Sequence, residues 1–381
     1  MNVRPRILFA GGGSGGHLFP GIAVAEELTR RAPDCEIVFA SSHRSIDGHV
    51  LKGSTFGSVA LPMEPLPRRL HLLPRFSARL ALSYHAASRL VRSLRPDVIV
   101  GLGGFTSVPV GIAASWHGVP LVLLEQNIVP GRATSFLSRL ADEICVSFAE
   151  TRGSLRTCGT TIVTGNPVRA SVLQTTEGSP RSTCSDTPNR QTLLILGGSQ
   201  GAAGVNSMVL STIGRLGAQL SGWRIVHQTG ERDAARIRAG YRQLGMTAEV
   251  AAYYDDLPAR YRDAQIVISR AGATTLAELA CCGLPAILIP YPQSTKNHQQ
   301  KNAEHFACAD ASRVVTEGSG AAYDLELALQ PLVRAEDRRG VMSAAMRRLA
   351  RPDAAAAVAN IVLRHCRGVS AAERNGEKTA A

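Results

Sequence analysis

Aromatic residues make up only 5% of the chain, too few to build the stacking platforms on which single-stranded nucleic acid is bound. Eight cysteines occur, at Cys35, Cys145, Cys158, Cys184, Cys281, Cys282, Cys308 and Cys366. None forms a C-x-x-C pair or a zinc-ligand spacing, so zinc modules are excluded and reduced, mostly buried thiols are expected. The 36 glycines and 20 prolines follow no repeat, which excludes collagen-like and low-complexity structure. Near the start, Arg4 and Arg6 precede an apolar run over 7–10 that ends at once in glycines. That run is too short for a signal peptide, and a cytoplasmic chain is expected. The uncharged stretch 98–124 is broken by Gly101, Gly103, Gly104, Pro109, Gly118 and Pro120. It reads as strand, glycine loop, helix and strand rather than as a membrane span.

What is present points to a globular protein. A chain of 381 residues, 45% of them hydrophobic, exceeds the size at which one core keeps growing, so two domains are expected. Lys and Arg number 42 against 30 Asp and Glu, a net +12, which favours an anionic partner: nucleic acid, a phosphorylated substrate or an anionic membrane.

Residues 6–10 read as a buried strand, followed by a glycine loop and by helical spacing over 20–31 with Ile22, Ala25 and Leu28 inward. Similar units recur, with strands over 36–40, 98–102 and 120–124 and a helix over 77–94. After Gly165-Asn166-Pro167-Val168-Arg169 the chain turns polar, and 175–191 lacks apolar periodicity. A second series follows, with strands over 192–196, 223–228, 265–269 and 285–290 and a helix over 205–216. Helical patterns over 341–348 and 353–365 close the chain. Strands alternating with helices imply α/β architecture with parallel, doubly wound sheets.

The chemistry-bearing residues lie in loops after these strands. Gly11-Gly12-Gly13-Ser14-Gly15-Gly16-His17 stands between a strand and a helix, where backbone N–H groups and the helix dipole meet phosphate. It lacks the P-loop lysine and does not match the dinucleotide fingerprint, so a phosphate cradle and a merely tight turn both fit. His17 suits a general base, or a histidine that hydrogen-bonds the backbone at a helix start. Gly103-Gly104-Phe105 follows another strand on the same sheet edge, where ligands of such sheets bind. In the second half, Gly197-Gly198-Ser199-Gln200-Gly201 repeats the design, with the Ser199 hydroxyl as an added donor. Arg270-Ala271-Gly272-Ala273-Thr274-Thr275-Leu276-Ala277-Glu278 places Glu278 in the first turns of a helix. A carboxylate there serves either ribose hydroxyls or the helix dipole. Residues 295–303 are dense in amides, including Gln299 and Gln300, and suit sugar hydroxyls or simply water. The Asp255-Asp256 pair fits an N-cap better than a metal.

Taken together and in order, G-G-G-S-G-G-H-x-F-P, G-G-F, E-Q-N, G-N-P-V-R, G-G-S-Q-G, R-x-G-A-x-T-x-x-E and H-Q-x-x-N-A resemble glycosyltransferase family 28, over residues 6–364. The resemblance implies an inverting transferase of the GT-B fold, two Rossmann-like domains with parallel sheets facing a central cleft. It implies an N-terminal domain over 1–166 on the acceptor and membrane side, joined by a C-terminal helix over 351–366. A donor domain would cover 167–350, and 367–381 would be a disordered tail. The implied reaction moves N-acetylglucosamine from UDP-N-acetylglucosamine to undecaprenyl-diphospho-N-acetylmuramoyl-pentapeptide, without metal or other cofactor and without nucleic acid. Ser14, Gly15 and Gly16 would contact the donor across the cleft, with Asn127, Arg169 and Ser199 also in its site. Tyr254 matches a backbone contact near uracil. Ala273, Thr274, Thr275, Leu276, Ala277 and Glu278 would hold diphosphate and ribose, and Gln299 with Gln300 the sugar. Gly103, Gly104 and Phe105 would form an acceptor-side loop.

One departure matters. The family usually has histidine before E-Q-N, and this chain has Leu124. The resemblance therefore leaves His17 as the candidate base, with Glu125 as a helper. Residues 66–84 mix Arg68, Arg69, Arg75 and Arg79 with Leu70, Leu72, Leu73, Phe76 and Leu80. By themselves they read as a solvated helix with an inward face. The lipid-linked acceptor favours peripheral association with an anionic surface, at the cytoplasmic face of the cell membrane. A GT-B transferase with another lipid acceptor, and a non-catalytic nucleotide-sugar-binding protein, are the alternatives.

Overall fold

The structure is a computed structural model, and it describes residues 4–65, 67, 69, 71, 73–177, 191–197 and 201–369. Chain contacts divide it into two compact units, one of Met1–Arg169 with Arg351–Ala381 and one of Ala170–Ala350. The division falls three residues after the expected 166/167 boundary. Leu66, Arg68, Leu70, Leu72, Ser199 and the expected tail from residue 370 onward lie outside the described residues, as does most of the polar segment before the second series.

Unit 1 runs β1 (Arg6–Gly11), α1 (Gly15–Arg31), β2 (Glu36–Ser42), α2 (Ser45–Lys52), β3 (Gly57–Leu61), α3 (Leu73–Leu94), β4 (Val98–Gly103), α4 (Ser107–His117), β5 (Leu121–Glu125), α5 (Arg132–Leu137), β6 (Glu143–Val146) and β7 (Thr160–Val163). Its seven strands are all parallel in the order β3-β2-β1-β4-β5-β6-β7. The run Ile7-Leu8-Phe9-Ala10 is buried throughout because both sheet faces are covered. Ile7 and Phe9 face one core and Leu8 and Ala10 the other, as the two-residue period requires. Phe9 pairs with Phe39 of β2, their rings stacked 4.9 Å apart. Each such fully buried side chain contributes about 1.5–3 kcal/mol.

Unit 2 runs α6 (Ala170–Glu177), β8 (Thr192–Leu196), α7 (Ala203–Leu216), β9 (Arg224–Gln228), α8 (Ala234–Gln243), β10 (Ala248–Ala251), α9 (Leu257–Asp263), β11 (Ala264–Ser269), α10 (Ala273–Cys282), β12 (Ala286–Leu288), α11 (His298–Cys308), β13 (Ser312–Val314), α12 (Ala321–Arg334) and α13 (Glu336–Leu349). Its six-stranded sheet has the order β10-β9-β8-β11-β12-β13. The last helix, α14 (Ala354–Arg364), returns to unit 1, where Val358 and Val362 join the core that holds Ile22 and Leu28 of α1. In both sheets the first strand lies at the point where strand order reverses, the arrangement of Rossmann-like folds, whose ligands bind outside the carboxyl ends at that point.

The helix expected over 20–31 begins at Gly15 instead and encloses Pro20. Glycine is a poor helix former and proline removes a donor, so the sequence pattern hides the first turn. Asp256 occupies the N-cap position of α9, but its side chain makes no cap bond. Its carboxylate pairs with Arg260 at 3.0 Å instead. Among the described residues no group of three or more His, Cys, Asp or Glu is placed to hold a metal, and no helix is long and apolar enough to cross a membrane. No described cysteine is disulfide-bonded; Cys35, Cys145, Cys282 and Cys366 are buried, while Cys158 and Cys308 are exposed.

Candidate active site

In unit 1 the loops after β1, β4 and β5, three neighbouring strands, meet at one sheet edge. Gly104 has φ +76°, and a side chain there would meet the Gly12 carbonyl oxygen at 2.5 Å. Glycine is what lets these two loops touch. The imidazole of His17, in the first turn of α1, lies against the same loop: a side chain on Gly103 or Gly104 would meet its ring at 3.2 or 3.4 Å. His17 Nδ1 lies 3.1 Å from Ser14 Oγ. Arg169 extends over the ring of Phe19, 4.2 Å from its centroid, and so reaches the flank of α1 beside Gly15.

The first loop differs from a simple phosphate cradle. The N–H of Gly13 donates to both oxygens of the Asp47 carboxyl, at 2.8 and 2.9 Å, and the N–H of Ser42 donates to Asp47 Oδ2 at 3.1 Å. Asp47 is wholly buried. An acid of the chain thus fills this part of the loop; the Ser14-Gly15-Gly16 turn that follows opens α1, where Ser14 makes no side-chain cap bond. Arg44 completes the support: its Nη1 donates to the Gly13 carbonyl at 3.2 Å, and its guanidinium lies 5.2 Å from the centre of the Phe105 ring. Neither Asp47 nor Arg44 stands out in the sequence, because H-R-S-I-D-G-H reads as an ordinary polar segment.

Glu125 lies at the end of β5. It is 3% exposed; Oε1 accepts the N–H of Asn127 at 3.0 Å and its Nδ2 at 3.3 Å, while Oε2 accepts the N–H of Gly131 at 3.0 Å. Both oxygens accept hydrogen bonds within the turn after β5, so the carboxyl holds Asn127 in place. Leu124 lies in the apolar core with Leu102 and Val122.

In unit 2 the described donor-side candidates follow β10, β11 and β12: Tyr254, the 273–278 segment, and Gln299 with Gln300. Helix α10 begins at Ala273 without a side-chain cap, and the first-turn N–H groups of such a helix suit an anion. Ala273, Thr274 and Leu276 are buried, so this segment offers backbone more than side chain. Glu278 is 3% exposed, and Tyr261 donates to its Oε2 at 2.9 Å. The N–H of Tyr254 donates to Gln228 Oε1 at 3.2 Å, while its ring lies under Arg260 at 4.6 Å. Burial, with Glu249 adding to it, pushes the Tyr254 hydroxyl up to about 12, so it remains protonated. Gln299 Oε1 accepts the N–H of Tyr291 at 2.9 Å, and Gln300 Nε2 donates to Glu304 at 3.1 Å.

A buried polar network joins α7, β9 and α8. Asn206 Nδ2 donates to the Thr229 carbonyl at 3.0 Å and to Asp233 at 2.7 Å, which leaves its Oδ1 to accept from His227 Nε2 at 3.1 Å. His227 Nδ1 then accepts from the Tyr241 hydroxyl at 2.9 Å. Burial lowers His227 to about 3, so the imidazole is neutral and structural. The network braces β9, whose Gln228 carbonyl takes the N–H of Gly197 at 2.8 Å.

The fold and these two sets of loops define a sugar-transferring enzyme, and the chain belongs to glycosyltransferase family 28: residues 7–146 match the family's N-terminal domain and 192–358 its C-terminal domain. It is 37% identical over 370 residues to the UDP-N-acetylglucosamine--N-acetylmuramyl-(pentapeptide) pyrophosphoryl-undecaprenol N-acetylglucosamine transferase of Syntrophotalea carbinolica, covering 96% of this chain and 99% of that protein. The transferase of the same name from Citrifermentans bemidjiense is 37% identical over 364 residues, 94% of this chain and 99% of that one. The crystal structure of Acinetobacter baumannii MurG matches with a TM-score of 0.72 at 25% identity, over 94% of this chain and 99% of that chain. The UDP-GlcNAc 2-epimerase from Neisseria meningitidis, solved bound to UDP-GlcNAc, matches at 0.66 with 15% identity, covering 94% of this chain and 100% of that one, a likeness of fold alone.

Proposed function

We propose that this enzyme transfers N-acetylglucosamine from UDP-N-acetylglucosamine to the lipid-linked muramoyl-pentapeptide, giving the disaccharide lipid intermediate of peptidoglycan synthesis. The observation that carries the reading is the donor-side constellation of unit 2, held by a chain whose relatives of that name match nearly its full length. The diphosphate would lie at the uncapped start of α10, and the ribose at Glu278, whose carboxyl Tyr261 steadies. Uracil would meet the main chain at Tyr254 through its carbonyl, since the N–H is engaged by Gln228. Ser199, outside the described residues, would add a donor to the diphosphate, and Gln299 with Gln300 would read the sugar.

In the reaction the acceptor hydroxyl oxygen forms a bond to the anomeric carbon as the bond from that carbon to the UDP oxygen breaks, with inversion. His17 takes the hydroxyl proton, and Ser14 holds its imidazole through Nδ1. The charge left on UDP is met by helix-start N–H groups rather than by a metal. Gly103, Gly104 and Phe105 would border the acceptor, with Asn127 and Arg169 nearby.

Membrane contact would use α3 and its neighbours. Leu82 of α3, Trp116 of α4 and Phe136 of α5 are 56%, 77% and 47% exposed, and Ser88 to His117 at 2.8 Å ties α3 to α4. Arg75 and Arg79 of α3 lie beside Glu64, at 2.9 and 3.6 Å. Exposed apolar side chains with arginines suit an anionic lipid surface on the cytoplasmic face.

Calorimetric titration tests the donor reading. Wild type should bind UDP-N-acetylglucosamine, and Glu278→Ala should weaken it by roughly tenfold or more, the scale of a charged hydrogen bond. Absence of binding by wild type would remove the proposal.

A further inference from the structure

Arg270 stands two residues before the N-cap of α10, and its side chain is only 15% exposed. Its Nη1 donates to the carbonyls of Ile289 and Pro290, at 3.2 and 3.3 Å. The guanidinium also pairs with Glu317 and lies 5.3 Å from the centre of the Tyr291 ring. The N–H of Tyr291 in turn donates to Gln299 Oε1. A continuous chain of contacts therefore runs from the start of α10, through Arg270 and the 289–291 segment, to the amide of Gln299. Glu317 extends it to α7, since a side chain on Gly204, in the first turn of that helix, would meet Glu317 Oε2 at 2.5 Å. Lysine would replace this arginine poorly: an ammonium group has no flat face to lay on Tyr291.

We infer that Arg270 is a positioning residue for sugar selectivity, which sets the distance between the helix start that takes the diphosphate and the Gln299 amide that reads the sugar. The inference rests on the donor reading above. It follows from the donor's covalent structure: the sugar is joined to the diphosphate at one end and recognised by hydroxyl and amide contacts at the other. The spacing of the two protein elements decides whether those contacts are met. With Oε1 committed to Tyr291, Gln299 offers a sugar its NH2 donors, and a shift of the 289–291 segment would misplace them. Arg270 itself touches no substrate. Its loss should loosen the reading of the sugar and leave the nucleotide alone, whereas a merely structural role would weaken both together.

The test measures dissociation constants of UDP, UDP-N-acetylglucosamine and UDP-glucose for wild type, Arg270→Met and Arg270→Lys, with thermal melts alongside. Arg270→Lys retains the charge beside Glu317, so it remains readable should Arg270→Met fail to fold. The expected result is UDP affinity within about threefold of wild type and a preference for UDP-N-acetylglucosamine over UDP-glucose reduced roughly tenfold or more, the scale on which misplaced hydrogen-bond partners cost selectivity. An unchanged preference in folded variants, or equal losses for UDP and both sugars, would overturn the inference. Wild type that binds no UDP would bring down the donor reading itself, a separate outcome.

Discussion

The proposed base is His17, and the residues at 124 and 125 bear on that proposal. Leu124 packs inside the core with Leu102 and Val122, and both oxygens of Glu125 accept from backbone and amide donors of its own turn. The imidazole of His17, half-buried between Ser14 and the Gly103-Gly104 loop, is the base proposed above. His17→Ala should therefore lower turnover by roughly a hundredfold or more while donor affinity stays within a few fold, because a base acts in the transition state. Turnover within threefold of wild type, measured under saturating donor, would reject this assignment. His17 was legible in the sequence because it ends a glycine loop at a helix start. Asp47 and Gln228 were not. One holds Gly13 from 34 positions away and the other holds Tyr254 from 26, and pairings of that range leave no local pattern.

Among the elements, long apolar runs were the most readable. The strand over 192–196 has the expected bounds, and β1 extends one residue beyond its run. Short strands such as β6 (Glu143–Val146), β7 (Thr160–Val163) and β13 (Ser312–Val314) have too few residues to display a period. Helix α3 was expected over 77–94 and starts four residues earlier. Its amphipathic character was evident, but its packing against α4, which Ser88 and His117 tie together, could not be read from one segment. Vesicle flotation tests what these helices do together. The protein should rise with anionic phosphatidylglycerol vesicles, and the Arg75→Glu, Arg79→Glu double variant should bind roughly thirtyfold less. That estimate takes about 1 kcal/mol for each arginine near the surface. Leu82→Ser with Trp116→Ser should weaken binding as well. No enrichment of wild type on such vesicles, or no change in either variant, would remove the membrane role.

At the scale of the whole molecule, the sequence carries two doubly wound series, and the structure supplies two Rossmann-like sheets with a C-terminal helix that returns to the first. Alternation of strand and helix was enough to infer parallel sheets, since a parallel pair needs a crossover. It was not enough to fix the boundary, because Pro167, Val168 and Arg169 pack with unit 1 although they follow the Gly165-Asn166 turn. The basic excess of the chain, +12, agrees with a diphosphate donor and a diphosphate lipid acceptor equally and discriminates between neither.

As proposed above, this transferase moves a sugar from UDP to a lipid-linked acceptor without a metal. The most direct measurement is transfer of radiolabelled N-acetylglucosamine from its UDP donor to a short-chain analogue of the lipid-linked muramoyl-pentapeptide, with and without EDTA. Equal product under both conditions is the predicted result. No product from an enzyme that binds the donor, or product abolished by EDTA and restored by a divalent cation, would contradict it.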